Sequence, residues 1–349
     1  MKSSARHPRL VLAAVATVGA MVMTACAGGG SSDAVATGAQ AQNAAATSSI
    51  LNLFAYSTPK PGFDKVIPAF TQTAAGKGVQ VQQSYGASGD QSRKVAAGAS
   101  ADVVTFSVEP DVTRLVKAGL VDPSWNAGPH KGIAFGSVVT IIVRKGNPKG
   151  IHSWDDLLKP GIQVVTPNPF SSGSAKWNLL APYAAKSDGG KDPKAGLAFI
   201  DKLVTQHVKV QPKSGREATE TFLQGTGDAL LSYENEALFA ERKGDPVEHV
   251  TPSTTFKIEN PTAVLKGSPN LAKAKAFEAY LYTPQAQTLW AQAGFRPVDP
   301  AVAKEFAATL PAPAKLWTIA DLGGWKTVDS TLFAKGTGAI AVIYDKATS

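Results

Sequence analysis

The 349-residue chain is predicted to fold as an α/β protein with largely parallel sheets, and its length favours two domains. Two observations carry this expectation. Short apolar runs of strand character alternate with stretches of helical periodicity from residue 50 onward. A hydrophobic content of 44% is enough to fill one or two full-sized cores.

The elements follow in order. Ile50 to Tyr56 reads as a strand, and Phe63, Val66, Ile67 and Phe70 then mark one face of a helix. Val79 to Gln83 alternates as a strand, and Val103 to Phe106 is another. The later runs Val138 to Val143, Ile162 to Val165, Val208 to Val210 and Ala229 to Leu231 are again separated by helical stretches. No internal repeat of short period is present.

The N-terminus reads as a targeting segment. A cationic start from Lys2 to Arg9 precedes the apolar stretch Leu10 to Met23, which is too short for an ordinary membrane span. Met23-Thr24-Ala25-Cys26 follows, and then small residues. This resembles the lipobox of bacterial lipoproteins, so residues 1–25 are expected to be a signal peptide and Cys26 a lipidation site. Cys26 is the only cysteine, so no internal disulfide is possible. A single acyl chain holds a protein weakly, so firm anchoring needs two or more. From Ala27 to Ser49 the chain is Gly, Ala, Ser, Thr, Gln and Asn with little else, and residues 26–49 are expected to form a flexible tether.

The formal charge of +8 falls by three when Lys2, Arg6 and Arg9 are removed with the signal peptide. The remaining cations are scattered among Asp and Glu, with no basic run interleaved with aromatics. Nucleic acid is therefore not expected as a partner. The histidines (His7, His130, His152, His207 and His249) show no metal-ligand spacing. No G-x-S-x-G elbow, dinucleotide fingerprint or phosphate loop occurs. No metal, cofactor or catalytic residue is expected, which sets a secreted serine hydrolase behind a binding protein. A purely structural surface lipoprotein is the other alternative.

The most informative pattern is positional. The chain contains three Ser-Gly dipeptides, Ser88-Gly89, Ser172-Gly173 and Ser214-Gly215. Each lies after a predicted strand and before a predicted helix, namely Gln91 to Ala97, Ala175 to Ala185 and Glu217 to Leu223. Serine caps helix starts, and glycine lets backbone approach a ligand closely. A helix start presents unpaired N–H groups and the positive end of the dipole, so it favours an anion. Ligands in open α/β sheets bind at the carboxyl ends of strands. One such turn is ordinary capping, whereas three together point to a shared anion site.

These residues resemble a known family. Gln83-Ser84-Tyr85-Gly86-Ala87-Ser88-Gly89-Asp90-Gln91 is similar to the Q-S-H-G-G-S-G-x-Q segment of bacterial sulfate-binding proteins. The stretches from Val143 to Lys149, Thr166 to Asn178 and Gly227 to Ala237 match that family's V-R-K-G-N-P-K, T-P-N-P-K-S-S-G-G-A-R-W-N and G-D-V-L-I-A-W-E-N-E-A. The resemblance runs from about Leu51 to Phe333. It implies a two-lobed type II periplasmic-binding-protein fold, with two mixed sheets and a hinge. Lobe I is expected at 50–139 and 263–349, and lobe II at 140–262, joined near Val138 to Val143 and Phe256 to Ala263.

The same resemblance implies the ligand and its contacts. Sulfate, or else thiosulfate, would be held by Ser57, Ser88, Ser172, Gly173, Ser174, Gly215 and Tyr233. Tyr233 stands where relatives have Trp, Ser57 where they have Asp, and Ser174 where they have Gly. Asp90 and Glu217 are read as first-turn carboxylates that complement helix dipoles. Sulfate carries no proton at neutral pH, so a site made of donors suits it and leaves the proton of hydrogen phosphate unpaired. The implied partners are an ABC permease and its ATPase. The protein is expected to act as a monomer, lipid-anchored on the extracytoplasmic face of the cell membrane.

Overall fold

A computed structural model describes residues 49–348. The expected signal peptide, Cys26 and the tether up to residue 48 lie outside the described residues. The chain begins with β1 (Ser49–Tyr56), α1 (Lys60–Thr71), β2 (Val79–Gly86), α2 (Ser88–Ala96), β3 (Val103–Thr105) and α3 (Glu109–Lys117). The long strand β4 (Ile133–Arg144) then leads to β5 (Val164–Val165), α4 (Gly173–Lys186), α5 (Pro193–Lys202), β6 (Val208–Val210) and α6 (Gly215–Leu223). Next come β7 (Ala229–Tyr233), α7 (Glu234–Arg242), β8 (Val247–Val250) and the long β9 (Thr254–Val264). The chain closes with α8 (Leu271–Leu281), α9 (Pro284–Gln292), β10 (Arg296–Pro297), α10 (Pro300–Glu305), β11 (Lys315–Trp317), α11 (Gly324–Val328) and α12 (Ala339–Thr348).

One strand arrangement occurs twice. In the first half, β2, β1 and β3 are parallel, and β9 lies antiparallel beside β3. In the second half, β6, β5 and β7 are parallel, and β4 lies antiparallel beside β7. The two sets join where residues 133–138 of β4 pair with residues 257–261 of β9. The sheets are therefore mixed, because each parallel triplet is closed by a strand that crosses from the other half. This is the two-lobed architecture that the sequence resemblance implies, with the two sheets continuous through the β4–β9 ladder.

Element ends differ from the apolar pattern for local reasons. β4 starts five residues before Val138, because Gly136 and Ser137 break the apolar run although both are buried. β2 continues through Gln83, Ser84 and Tyr85, polar positions that an edge strand paired only with β1 tolerates. The α2, α4 and α6 helices begin earlier than their periodicity indicates, at Ser88, Gly173 and Gly215.

Aromatic packing holds the crossing strands in place. Phe135 of β4 stacks on Trp290 of α9 with centroids 3.9 Å apart, and Phe63 of α1 meets the same indole edge-on at 4.9 Å. Trp177 of α4 packs against Phe256 of β9 and Trp325 of α11. Truncating such a ring to alanine removes roughly 3–5 kcal/mol. From β11 onward the chain touches both halves: β11 pairs with Thr254–Phe256 of β9, α12 packs on α5, and α11 packs on α3.

Candidate oxyanion-binding site

Each Ser-Gly dipeptide stands at the start of a helix, but the three serines do different work. Ser172 is the N-cap of α4, extended at φ −107°, ψ 121°, and its hydroxyl makes no capping bond. Ser214 caps α6 in the ordinary way, its Oγ accepting from the Glu217 N–H at 3.2 Å. Ser88 is already the first residue of α2; its hydroxyl donates to Asp111 Oδ2 at 2.6 Å and accepts from the Ser107 N–H at 2.9 Å. The Ser88 side chain is thus committed inside the protein, leaving its backbone as the part directed by the helix start.

Close contacts bring these starts together. The Gly89 N–H at α2 donates to Ser171 O, two residues before α4, at 3.1 Å. A Cβ on Gly173 would lie 2.7 Å from Cβ and 2.8 Å from Oγ of Ser107, which follows β3. A Cβ on Gly215 would lie 2.9 Å from Ser174 Oγ and 3.2 Å from Thr58 Cγ2. Glycine is required at 173 and 215 by this close approach of elements. Ser57 Oγ donates to Gly86 O at 2.9 Å, fixing the turn after β1 to the end of β2. Tyr233, the last residue of β7 and the N-cap of α7, shares a 2.6 Å hydrogen bond with Ser107 Oγ. The seven residues read from the sequence therefore belong to one connected neighbourhood.

The neighbourhood is rich in hydroxyls, and its carboxylates are compensated. Burial pushes the Tyr233 phenol well above its usual range despite hydrogen bonding from Ser107 and Ser174, so it stays a neutral hydroxyl. Glu236 is 1% exposed; burial raises its pKa, while Arg216 at 2.7 Å and Thr219 hold it in place. Glu234 is gripped by two guanidinium nitrogens of Arg296, each at 2.8 Å. Asp111 is held by Arg114 at 2.9 Å as well as by Ser88. Asp90 pairs outward with Arg93, and Glu217 accepts from the Lys213 N–H, so both serve their helix starts from the exposed side. What remains at the centre are helix N–H groups and hydroxyls, a set that can surround an anion with donors.

Three participants were not found from sequence. Ser107 is fully buried and links three elements: its hydroxyl meets Tyr233, its N–H meets Ser88, and its carbonyl accepts from Trp177 Nε1 at 2.8 Å. It occupies a fourth strand-to-helix turn, between β3 and α3. That turn reads Phe-Ser-Val-Glu and carries no glycine to mark it. Asn260 of β9 reaches the same Ser107 carbonyl through Nδ2 at 3.3 Å. Thr58, beside Ser57, is buried against Gly215. Among the described residues no cluster of His, Cys, Asp and Glu could hold a metal, and no helix is long and apolar enough to cross a membrane.

Comparisons with known proteins place this chain in a family. The profile described as "Bacterial extracellular solute-binding protein" matches residues 51–296. The sulfate-binding protein of Synechococcus elongatus is 35% identical over 342 residues, covering 95% of each chain. The thiosulfate-binding protein of Pseudomonas aeruginosa is 35% identical over 300 residues, covering 83% of this chain and 88% of its own. Among solved structures, the sulfate-binding protein SubI from Mycobacterium tuberculosis H37Rv is 65% identical with a TM-score of 0.81, covering 82% of this chain and 99% of its own. The chain belongs to the sulfate-binding protein family of bacterial extracellular solute-binding proteins, and it is a binding protein rather than an enzyme.

Proposed function

We propose that this chain captures sulfate between its two halves and delivers it to an ABC importer, a permease driven by a cytoplasmic ATPase. The observation that carries this reading is the meeting of three helix starts, α2 from one half and α4 and α6 from the other, around buried hydroxyls. Every carboxylate named beside them is already paired. The relatives named for sulfate and thiosulfate support the ligand class. The ligand needs no cofactor, and the chain acts as a monomer.

The two lobes of this reading are residues 50–139 with 263–349, and residues 140–262. The hinge lies in the crossing strands near Val138 to Val143 and Phe256 to Ala263. Within lobe I, the segment from Lys315 onward reaches across to the second lobe through β11 and α12. Isothermal titration with sulfate, thiosulfate, selenate and molybdate tests the function. One-to-one binding with sulfate or thiosulfate tightest is the expected result, and no heat from any of the four refutes it.

The protein is held on the extracytoplasmic face of the membrane by acyl chains on Cys26. Replacing this residue, Cys26→Ser, is expected to release the protein into the soluble fraction, because the polar tether offers no membrane-binding face. Fractionation followed by immunoblotting reads the outcome. A variant that stays with the membrane contradicts the anchor.

A further inference from the structure

Helix α7 of the second lobe is bonded to the first lobe at both its ends. At its start, Glu234 is gripped in a fork by Arg296 of β10, Nε to Oε2 and a second guanidinium nitrogen to Oε1, each at 2.8 Å. At its last residue, Arg242 donates to the Gln292 carbonyl, at the end of α9, at 2.6 Å. Between the two, a Cβ on Gly294 would lie 3.4 Å from Asn235 Cα and from Leu238 Cβ, so the chain runs close along the helix. The bonded residues 234 and 242 stand about 12 Å apart along the helix axis.

This seat lies beside the hinge. Along β4, Arg296 pairs opposite Gly136, and Tyr233, the residue before Glu234, pairs opposite Val139. The guanidinium is tied to the first lobe by Pro311 O at 2.8 Å and Leu310 O at 3.2 Å, so it bridges the lobes. Lys176–Asp329 and Lys315–Asp188 also join the lobes, but their carboxylates are 35% and 56% exposed, whereas Glu234 is 3% exposed. Exposed pairs are screened by water and carry little weight. A buried fork behaves differently, because losing one partner strands the other charge away from water. A rigid lobe held at two separated points turns only about the line through them, so any other opening motion frees the fork.

Resting on the proposed capture between two lobes, we propose that Arg296 and Glu234 form a clasp that engages as the lobes close and slows release of the anion. Helix α7 is the face that docks, and residues 292–296 are its seat. In the open protein both charged groups are hydrated and the clasp contributes nothing. The two are positioning residues: they touch no anion and act by stabilising the closed state.

The test is sulfate titration and stopped-flow release, with thermal melting of the unliganded full chain. The proteins compared are the parent, Glu234→Ala, Arg296→Ala, the double variant and Arg242→Met. Each clasp single is expected to weaken sulfate on the order of 100-fold, through faster release with near-parental association. The double should lose no more than either single, because both changes remove one interaction. Arg242→Met, at the far end of α7 from Tyr233, should lose a few-fold by the same route. Unliganded Glu234→Ala should melt within a few degrees of the parent, the share of a first-turn carboxylate at its helix start. Parent-like affinity in either single, losses that multiply in the double, or a parent-like Arg242→Met overturns the clasp. A melting temperature lower by roughly 10 °C or more, the scale of a broken buried pair, shows the fork engaged in the open protein and overturns it too. A parent that binds no tetrahedral oxyanion at all overturns instead the functional reading on which the clasp rests.

Discussion

Gly173→Ala is expected to weaken sulfate binding by about 100-fold while leaving the stability of the unliganded protein near that of the parent. The added Cβ would stand 2.7 Å from Ser107 Cβ, a separation that forces one element to move. Overpacking of this kind costs roughly 1–3 kcal/mol, and each ~1.4 kcal/mol is tenfold in affinity. Ser107 follows β3 in the first half and Gly173 starts α4 in the second, so the strain falls on the arrangement in which the halves meet. Opening the hinge relieves it, and alanine at a helix start carries no propensity penalty. Titration paired with thermal melting separates the two consequences. Parent-like affinity contradicts the closed contact, and a large loss of stability places the clash inside one lobe instead.

Ser172→Ala is expected to weaken sulfate by about 10- to 100-fold. A hydrogen bond to a charged partner contributes roughly 1.5–3 kcal/mol. The residue is 3% exposed and its hydroxyl is not used as a helix cap, which leaves it available to a ligand at the start of α4. Ser214 supplies the contrast, because its hydroxyl does cap α6. Ser214→Ala should therefore cost about 1 kcal/mol of stability and little affinity beyond it. Should Ser172→Ala bind as tightly as the parent while Ser214→Ala does not, the roles of these two turns are reversed.

Much of this was legible in the sequence because it is local. A strand followed by Ser-Gly and a helical pattern places a helix start, and Ser88, Gly173 and Gly215 prove to be first helical residues. The parallel triplets likewise followed from alternation of strand and helix. What escaped was decided by pairing over long separations. No local signal tells that β4 and β9 would join the sheets, since residues 133–138 and 257–261 meet only in three dimensions. Ser107 escaped because its turn lacks glycine, although it connects Ser88, Trp177 and Tyr233. Thr58 escaped because its packing against Gly215 joins residues far apart in the chain. The first-turn carboxylates Asp90 and Glu217, ambiguous as residue types, face outward with their own partners.

The most direct test of the central claim is the position of the bound anion. Crystals grown with selenate in place of sulfate allow selenium to be located by its anomalous scattering. The account predicts one strong selenium position where the starts of α2, α4 and α6 converge, within about 3 Å of the Tyr233 hydroxyl oxygen when measured to a selenate oxygen. Selenium bound elsewhere, or absent from that point in a protein saturated by titration, would contradict it.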